Sequence, residues 1–187
     1  MKSNRNSEVD LKNITAVIFD TDGVLTDTTS IHAQAWKLLF DEYLKERAER
    51  HHTEFQPFDA DSDYFRYVDG KPRYDGIKSF LDSRGISLPQ GSQWDCPGLE
   101  TVCGLGNRKN RFFLERLKKE GSQPYGSSIR FIEKLKARGL RTAAISASRN
   151  AEEVLEAAGI RRLFSVKVDG VDSDELHLEG KPDPAIF

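Results

Sequence analysis

Long apolar runs, cysteine and an excess of charge of either sign are all scarce in this 187-residue sequence. No uninterrupted apolar stretch is long enough to span a bilayer, and the opening MKSNRNSEVDLKN is polar, without the apolar segment of a secretory signal. The chain therefore reads as soluble and cytoplasmic. Cysteine occurs only as Cys96 and Cys103, without the CxxC or Cys/His spacing of a zinc site, so free thiols in a reducing compartment are expected. Lys and Arg number 28 against 30 Asp and Glu, a net charge of -2 that provides no general field for nucleic acid or an anionic membrane. The GLG at Gly104 to Gly106 lacks the spacing and context of a dinucleotide fingerprint.

What is present is patterned. Ile14 to Phe19 is a continuous apolar strand of the kind buried in a parallel sheet, and Leu140 to Ser146 and Leu163 to Val168 read as two more. Around them lie two helical stretches, Ser127 to Arg138 closed by Gly139 and Ala151 to Ala158 closed by Gly159, both glycines suited to a left-handed residue after a helix. Strands alternating with short helices predict an α/β fold with a parallel sheet. The roughly hundred residues from Thr28 to Gly126 break that alternation and are expected to form an inserted, mostly helical module. The expected boundaries are 1–27 and 126–187 for the α/β part and 28–125 for the insert. The insert opens with an amphipathic helix, Ile31 to Arg50, whose inner face is Ile31, Ala35, Leu38, Leu39 and Tyr43. Thr53 to Asp75 reads as loops and Asn110 to Glu120 as a further helix.

Ligands of open parallel sheets bind beyond the carboxyl ends of the strands. Asp20 and Asp22, in FDTDGVLTDT after the first strand, should therefore meet Ser146 and whatever follows Val168. Two carboxylates in a shielded cleft repel each other unless a divalent cation binds or one keeps its proton. One can then serve as nucleophile and the other as acid and base. An Asp-x-Asp-Gly is also a common polar turn. The succession FDTDGVLTDT, AISASRN and GKPDPAIF, in one order at strand ends, favours the chemical reading.

Those three segments resemble the first three motifs of the haloacid dehalogenase-like phosphotransferase superfamily, and in detail its beta-phosphoglucomutase group. The resemblance implies a Rossmann-like core with a helical cap and attack by an aspartate on a phosphoryl group with Mg2+ as cofactor. Carried over, Asp20 is the nucleophile and a magnesium ligand, and Asp22 is the acid/base, with its backbone carbonyl also on the metal. Ser146 is to hydrogen-bond a phosphoryl oxygen, and Lys181 is to neutralise charge shared with Asp20. Ser148, Arg149 and Asn150, at a helix start, form a second anion subsite. In the insert, TDTTSIHAQAWK points to His32 and Trp36, the latter as packing, GKPRYDG to Arg73 as a phosphate grip, and GNRKN to Lys109 facing the cleft.

Arg73 and Arg149 together give two phosphate grips, which suits a mutase that binds a sugar bisphosphate in two orientations better than a phosphatase. The expected activity is interconversion of beta-glucose 1-phosphate and glucose 6-phosphate through an aspartyl phosphate. The alternatives are a sugar-phosphate phosphatase and a non-catalytic phosphosugar-binding domain. The expected partner is a small sugar phosphate, with neither nucleic acid nor membrane, and the resemblance adds that such domains occur fused ahead of a carbohydrate-processing enzyme. The family's fourth motif, an acidic pair completing the magnesium site, is expected after KPDPAIF, whereas the sequence stops at Phe187. A truncated core is the corresponding expectation. His51 and His52 with Asp59, Asp61 and Asp63 read as a solvated helix end and polar loop.

Overall fold

The apolar run near the N-terminus becomes strand β1 (Ala16–Asp20), which pairs in parallel with β2 (Arg141–Ile145), itself parallel to β3 (Val166–Val168). The structure, a computed structural model, describes residues 13–181 and 183–187. Among the described residues the sheet has the order β1-β2-β3. The fold class is thus as expected: mixed α/β around a parallel sheet. The third strand is shorter than the sequence suggests, because Arg161–Leu163 winds into a 3-10 turn before Phe164 enters the core.

Register fixes the functional edge. Asp20 lies opposite Ile145, and Ile145 opposite Val168, so the loops that follow all three strands leave from one end of the sheet. Helix α4 (Gly126–Ala137) buries Ile132 and Leu135 against the sheet, joined by Phe19, Ala144, Leu155 and Phe164. Gly139 and Gly159, at φ 79 and 68, take the left-handed conformation that their place after helices called for. Helix α5 spans Ala151–Ala157 and α6 Gly170–Glu175.

A second apolar cluster joins α1 (Thr29–His51), α2 (Arg73–Ser83) and α3 (Val102–Glu120). Its centre is aromatic: the Phe40 ring centroid lies 4.1 Å from that of Phe80 and 5.2 Å from that of Phe58. On α1, two adjacent stripes are buried, Ile31, Ala35, Leu39 and Tyr43 beside Trp36, Phe40, Leu44 and Ala48. Leu38 corrects the sequence reading, since it is 37% exposed and belongs to neither stripe.

Two further corrections concern the same region. The stretch 53–75 is not all loop: Tyr64–Val68 forms a π-helical turn, and α2 begins at Arg73. The Asp-rich approach acts as a helix start, with Asp59 Oδ1 accepting from the amides of Asp61 and Ser62. Helix α3 starts eight residues before Asn110, at Val102, where Thr101 Oγ1 accepts from the Gly104 amide as an N-cap. No helix among the described residues is long and apolar enough to cross a membrane.

Candidate active site

The turn after β1 is tied down by the threonines between its aspartates. Thr21, fully buried, donates through both its amide and its hydroxyl to the Ile145 carbonyl, at 3.0 and 2.9 Å. The Leu25 and Thr26 amides return to the Thr21 carbonyl. This closed turn presents Asp20 and Asp22 to a cavity of about 210 Å³ between the sheet end and the helices.

Asp20 accepts from its neighbour's amide on one oxygen and meets Lys181 Nζ at 2.8 Å on the other. Asp22 sits deeper. Its Oδ2 accepts from Ser146 Oγ at 3.0 Å and its Oδ1 from Thr28 Oγ1, with His32 Nε2 at 3.4 Å. Burial opposes ionisation of Asp22, but attraction to the facing His32 and hydrogen bonds from Thr28 and Ser146 outweigh it and hold the carboxyl below the usual range.

His32 and Lys109 form the next layer. Lys109 Nζ lies 2.8 Å from His32 Nδ1, and the His32 ring stacks on Phe113 with centroids 4.1 Å apart. Burial, and then repulsion from Lys109, push His32 below its ordinary value despite Asp22. Burial and then Arg73 push Lys109 well below the normal lysine range. A neutral imidazole accepting from Lys109 at Nδ1 must carry its proton on Nε2, the face turned to Asp22. That Nε2 is buried and has no hydrogen-bond partner. Trp36 is 4% exposed, as packing requires, yet its ring also lies 4.9 Å from Lys109 Nζ, and Phe113 lies 5.0 Å from it on α3. These π faces offset part of the cost of burying an ammonium group.

On the far wall stand Arg73, Ser148, Arg149 and Asn150. Arg73, at the start of α2, donates from Nη2 to Asn110 Oδ1 at 2.9 Å and forms no ion pair among the described residues; burial depresses its pKa. Arg149 is paired with Asp174 of α6. Asn150 is 5% exposed and donates to Asn110 Oδ1 at 2.7 Å. Ser148 bonds within the turn, its amide to Ser146 Oγ and its hydroxyl accepting from the Asn150 amide. Helix α5 behind this turn has seven residues, so its dipole adds little to the side chains.

Ten of the eleven residues singled out from the sequence, Trp36 included, line the cavity. Ser146 is placed differently: fully buried, it gives its hydroxyl proton to Asp22 rather than facing the cavity. Thr28, Tyr64, Asp69, Asn110 and Asp174 were missed. Asn110 adjoins Lys109, and consecutive helical residues diverge by about 100°, so one turn of α3 serves two walls. Tyr64 and Asp69 come from the segment read as loop.

As a candidate metal centre the site is lean. Among the described residues no three His, Cys, Asp or Glu side chains converge as a metal cage. Asp20 is nevertheless a partly exposed carboxylate at the cavity floor, the hard oxygen donor that Mg2+ takes when it keeps most of its shell as water and phosphate. Cys96 is exposed and Cys103 buried, both as free thiols.

Comparison with known proteins places the chain among relatives. A protein of Mycobacterium bovis named beta-phosphoglucomutase is 49% identical over 174 residues, 93% of this chain and 66% of that protein, so the chain spans just under two thirds of its length. A Mycobacterium tuberculosis protein named an uncharacterized glycosyl hydrolase is 40% identical over 171 residues, 91% of this chain but 12% of that protein. The crystal structure of beta-phosphoglucomutase from Clostridium difficile superposes with a TM-score of 0.68 at 23% identity, covering 93% of this chain and 68% of the other, which speaks for the fold. Residues 14–187 match the haloacid dehalogenase-like hydrolases, and the chain belongs to that family.

Proposed function

We propose that this chain carries the active site of a sugar-phosphate phosphotransferase of the beta-phosphoglucomutase type. The observation behind the proposal is the charge layout of one cavity. At its floor Asp20 pairs with Lys181, while Arg73, partly buried on the far wall, and Lys109, buried beside His32, have no carboxylate partner among the described residues. Buried cations without counter-ions stabilise a ligand that brings its own charge, and a phosphate dianion does so.

Asp20 is the nucleophile. A carboxylate oxygen attacks phosphorus, the bond from phosphorus to the sugar oxygen breaks, and Lys181 balances the charge that gathers there. Asp22, ionised at rest, takes the proton of the sugar hydroxyl that attacks the aspartyl phosphate. It returns a proton to the leaving oxygen when the bisphosphate reacts from its other end. Ser146 and Thr28 hold its two oxygens, and His32, itself held by Lys109, faces it with Nε2-H. Mg2+, held by Asp20 and the Asp22 backbone carbonyl, would supply further neutralisation of the phosphoryl oxygens. Arg73, with Ser148, Arg149 and Asn150, holds the phosphate that is not reacting. The helices α1 to α3 act as a cap over the sheet and exclude water.

The family match is to hydrolases, so release of phosphate to water is the competing reading. Phosphorus NMR distinguishes them. The chain is incubated with beta-glucose 1-phosphate, Mg2+ and a trace of glucose 1,6-bisphosphate. Growth of a glucose 6-phosphate signal is the expected result, and Asp20→Asn should abolish it together with any phosphoenzyme. Inorganic phosphate in its place would select the phosphatase, and no turnover would remove both readings for this chain.

A further inference from the structure

We infer that Asn110 is a positioning residue that sets the second phosphate subsite by joining its two halves through one oxygen; this rests on the phosphosugar reading of the cavity. Asn110 Oδ1 accepts from Arg73 Nη2 at 2.9 Å and from Asn150 Nδ2 at 2.7 Å. The three residues come from separate places: Arg73 begins α2, Asn110 lies on α3, and Asn150 follows β2 at the sheet end. A single carbonyl oxygen has two acceptor directions, and here both are filled, one from the start of α2 and one from the turn after β2.

The arrangement does more than link helices to sheet. Arg73 is short of compensation, for it has no ion pair among the described residues, and Arg149 and Lys109 raise the local positive potential. Without a fixed acceptor, a guanidinium in that setting relaxes toward solvent, where its charge is better hydrated. Asn110 holds it in place with a neutral acceptor, so its positive charge stays available to an anion. An aspartate at this position would hold Arg73 as firmly but would spend that charge. Of the five guanidinium N-H groups, Asn110 takes one, and the second amide proton of Asn150 is also left for a ligand. The separation of the two donors, and with it the span of the ligand, is set by that shared oxygen. Lys109, one residue earlier on the same helix, fixes His32 against Asp22. One turn of α3 thus holds both the acid/base and the remote grip in register.

The test is a double-substitution cycle on the full chain, read as binding of glucose 6-phosphate by calorimetry, with inorganic phosphate as a second probe. Asn110→Ala is expected to weaken glucose 6-phosphate about tenfold, the scale of a lost hydrogen bond to a charged group. In the Arg73→Ala background the same change is expected to cost much less, because the group it positions is gone. Asn110→Asp keeps the acceptor and is expected to retain the melting temperature while still losing affinity, which separates electrostatic positioning from support of the fold. Equal losses in both backgrounds, or unchanged affinity in Asn110→Ala, would overturn the inference. Failure of the unsubstituted chain to bind either probe would instead overturn the phosphosugar reading, and this inference with it.

Discussion

His32 shows how much one side chain is asked to reconcile. It is buried, stacked on Phe113, and set between a lysine and an aspartate. Its folded pKa is depressed, so on acidification the unfolded chain gains a proton before the folded one does. Its contribution to stability is full above the ordinary histidine value of about 6.5 and is lost as the pH falls toward the lower folded value. Asp22 is depressed as well, and its contribution is full above the ordinary carboxylate value of about 4 and is lost only in stronger acid. The urea midpoint is therefore expected to fall as the pH drops below about 6.5 in the parent chain, and His32→Gln to flatten that fall while leaving the loss in stronger acid. An unchanged slope in the variant would mean that His32 is not held neutral. Arg73→Ala belongs to the same scale: its loss should lower mutase flux more than hydrolysis of a small phosphate ester, which needs no second grip. Equal losses in the two assays would remove Arg73 from that role.

At the scale of elements, the site depends on how closely α2 approaches α3. A Cβ on Gly106 would stand 2.7 Å from the Tyr74 ring and 3.3 Å from Arg73 Cδ. Gly106→Ala must therefore shift the Tyr74 ring, next to Arg73 at the start of α2. A loss of about 1 to 3 kcal/mol in chemical denaturation is expected, with weaker glucose 6-phosphate binding. A variant as stable and as tight as the parent would show that the contact is slack. The same glycine explains why the helix was only half legible. Gly104 and Gly106 lower the helical propensity of the first turns of α3, and in the sequence they read as a break. Pro72 and Gly76 hide α2 in the same way, although proline just ahead of a helix is a tolerated start. Tertiary contact decides both cases: Gly76 lies against Trp36, and Gly106 against Tyr74.

The whole molecule rests on two apolar clusters, and their meeting makes the cavity. The helical cluster is centred on Phe40, Phe58 and Phe80, all at most 1% exposed. Phe80→Ala should cost about 3 to 5 kcal/mol in a denaturation experiment, since three rings close over that position. A cost near 1 kcal/mol would mean that the cluster refills the space. The positions of the β1 turn, the SRN turn and Lys181 around one cavity could be read directly, because the ends of parallel strands leave local patterns of residue type. Asp20, Asp22, Arg149 and Lys181 accordingly line one cavity, as their motifs anticipated.

What depends on contacts between distant segments had no local signature. Ser146 serves Asp22 across 124 residues, and Arg73 and Asn150 share Asn110 from 37 and 40 residues away. The amino-acid order by itself determined the parallel α/β class and the chemical groups at the strand ends, through hydrophobic period and the placement of aspartates after an apolar run. The tertiary structure alone decided which donor satisfies which carboxylate and which cations remain unpaired. A buried charge takes its energy from the neighbours that folding brings to it, and those neighbours are far away along the chain.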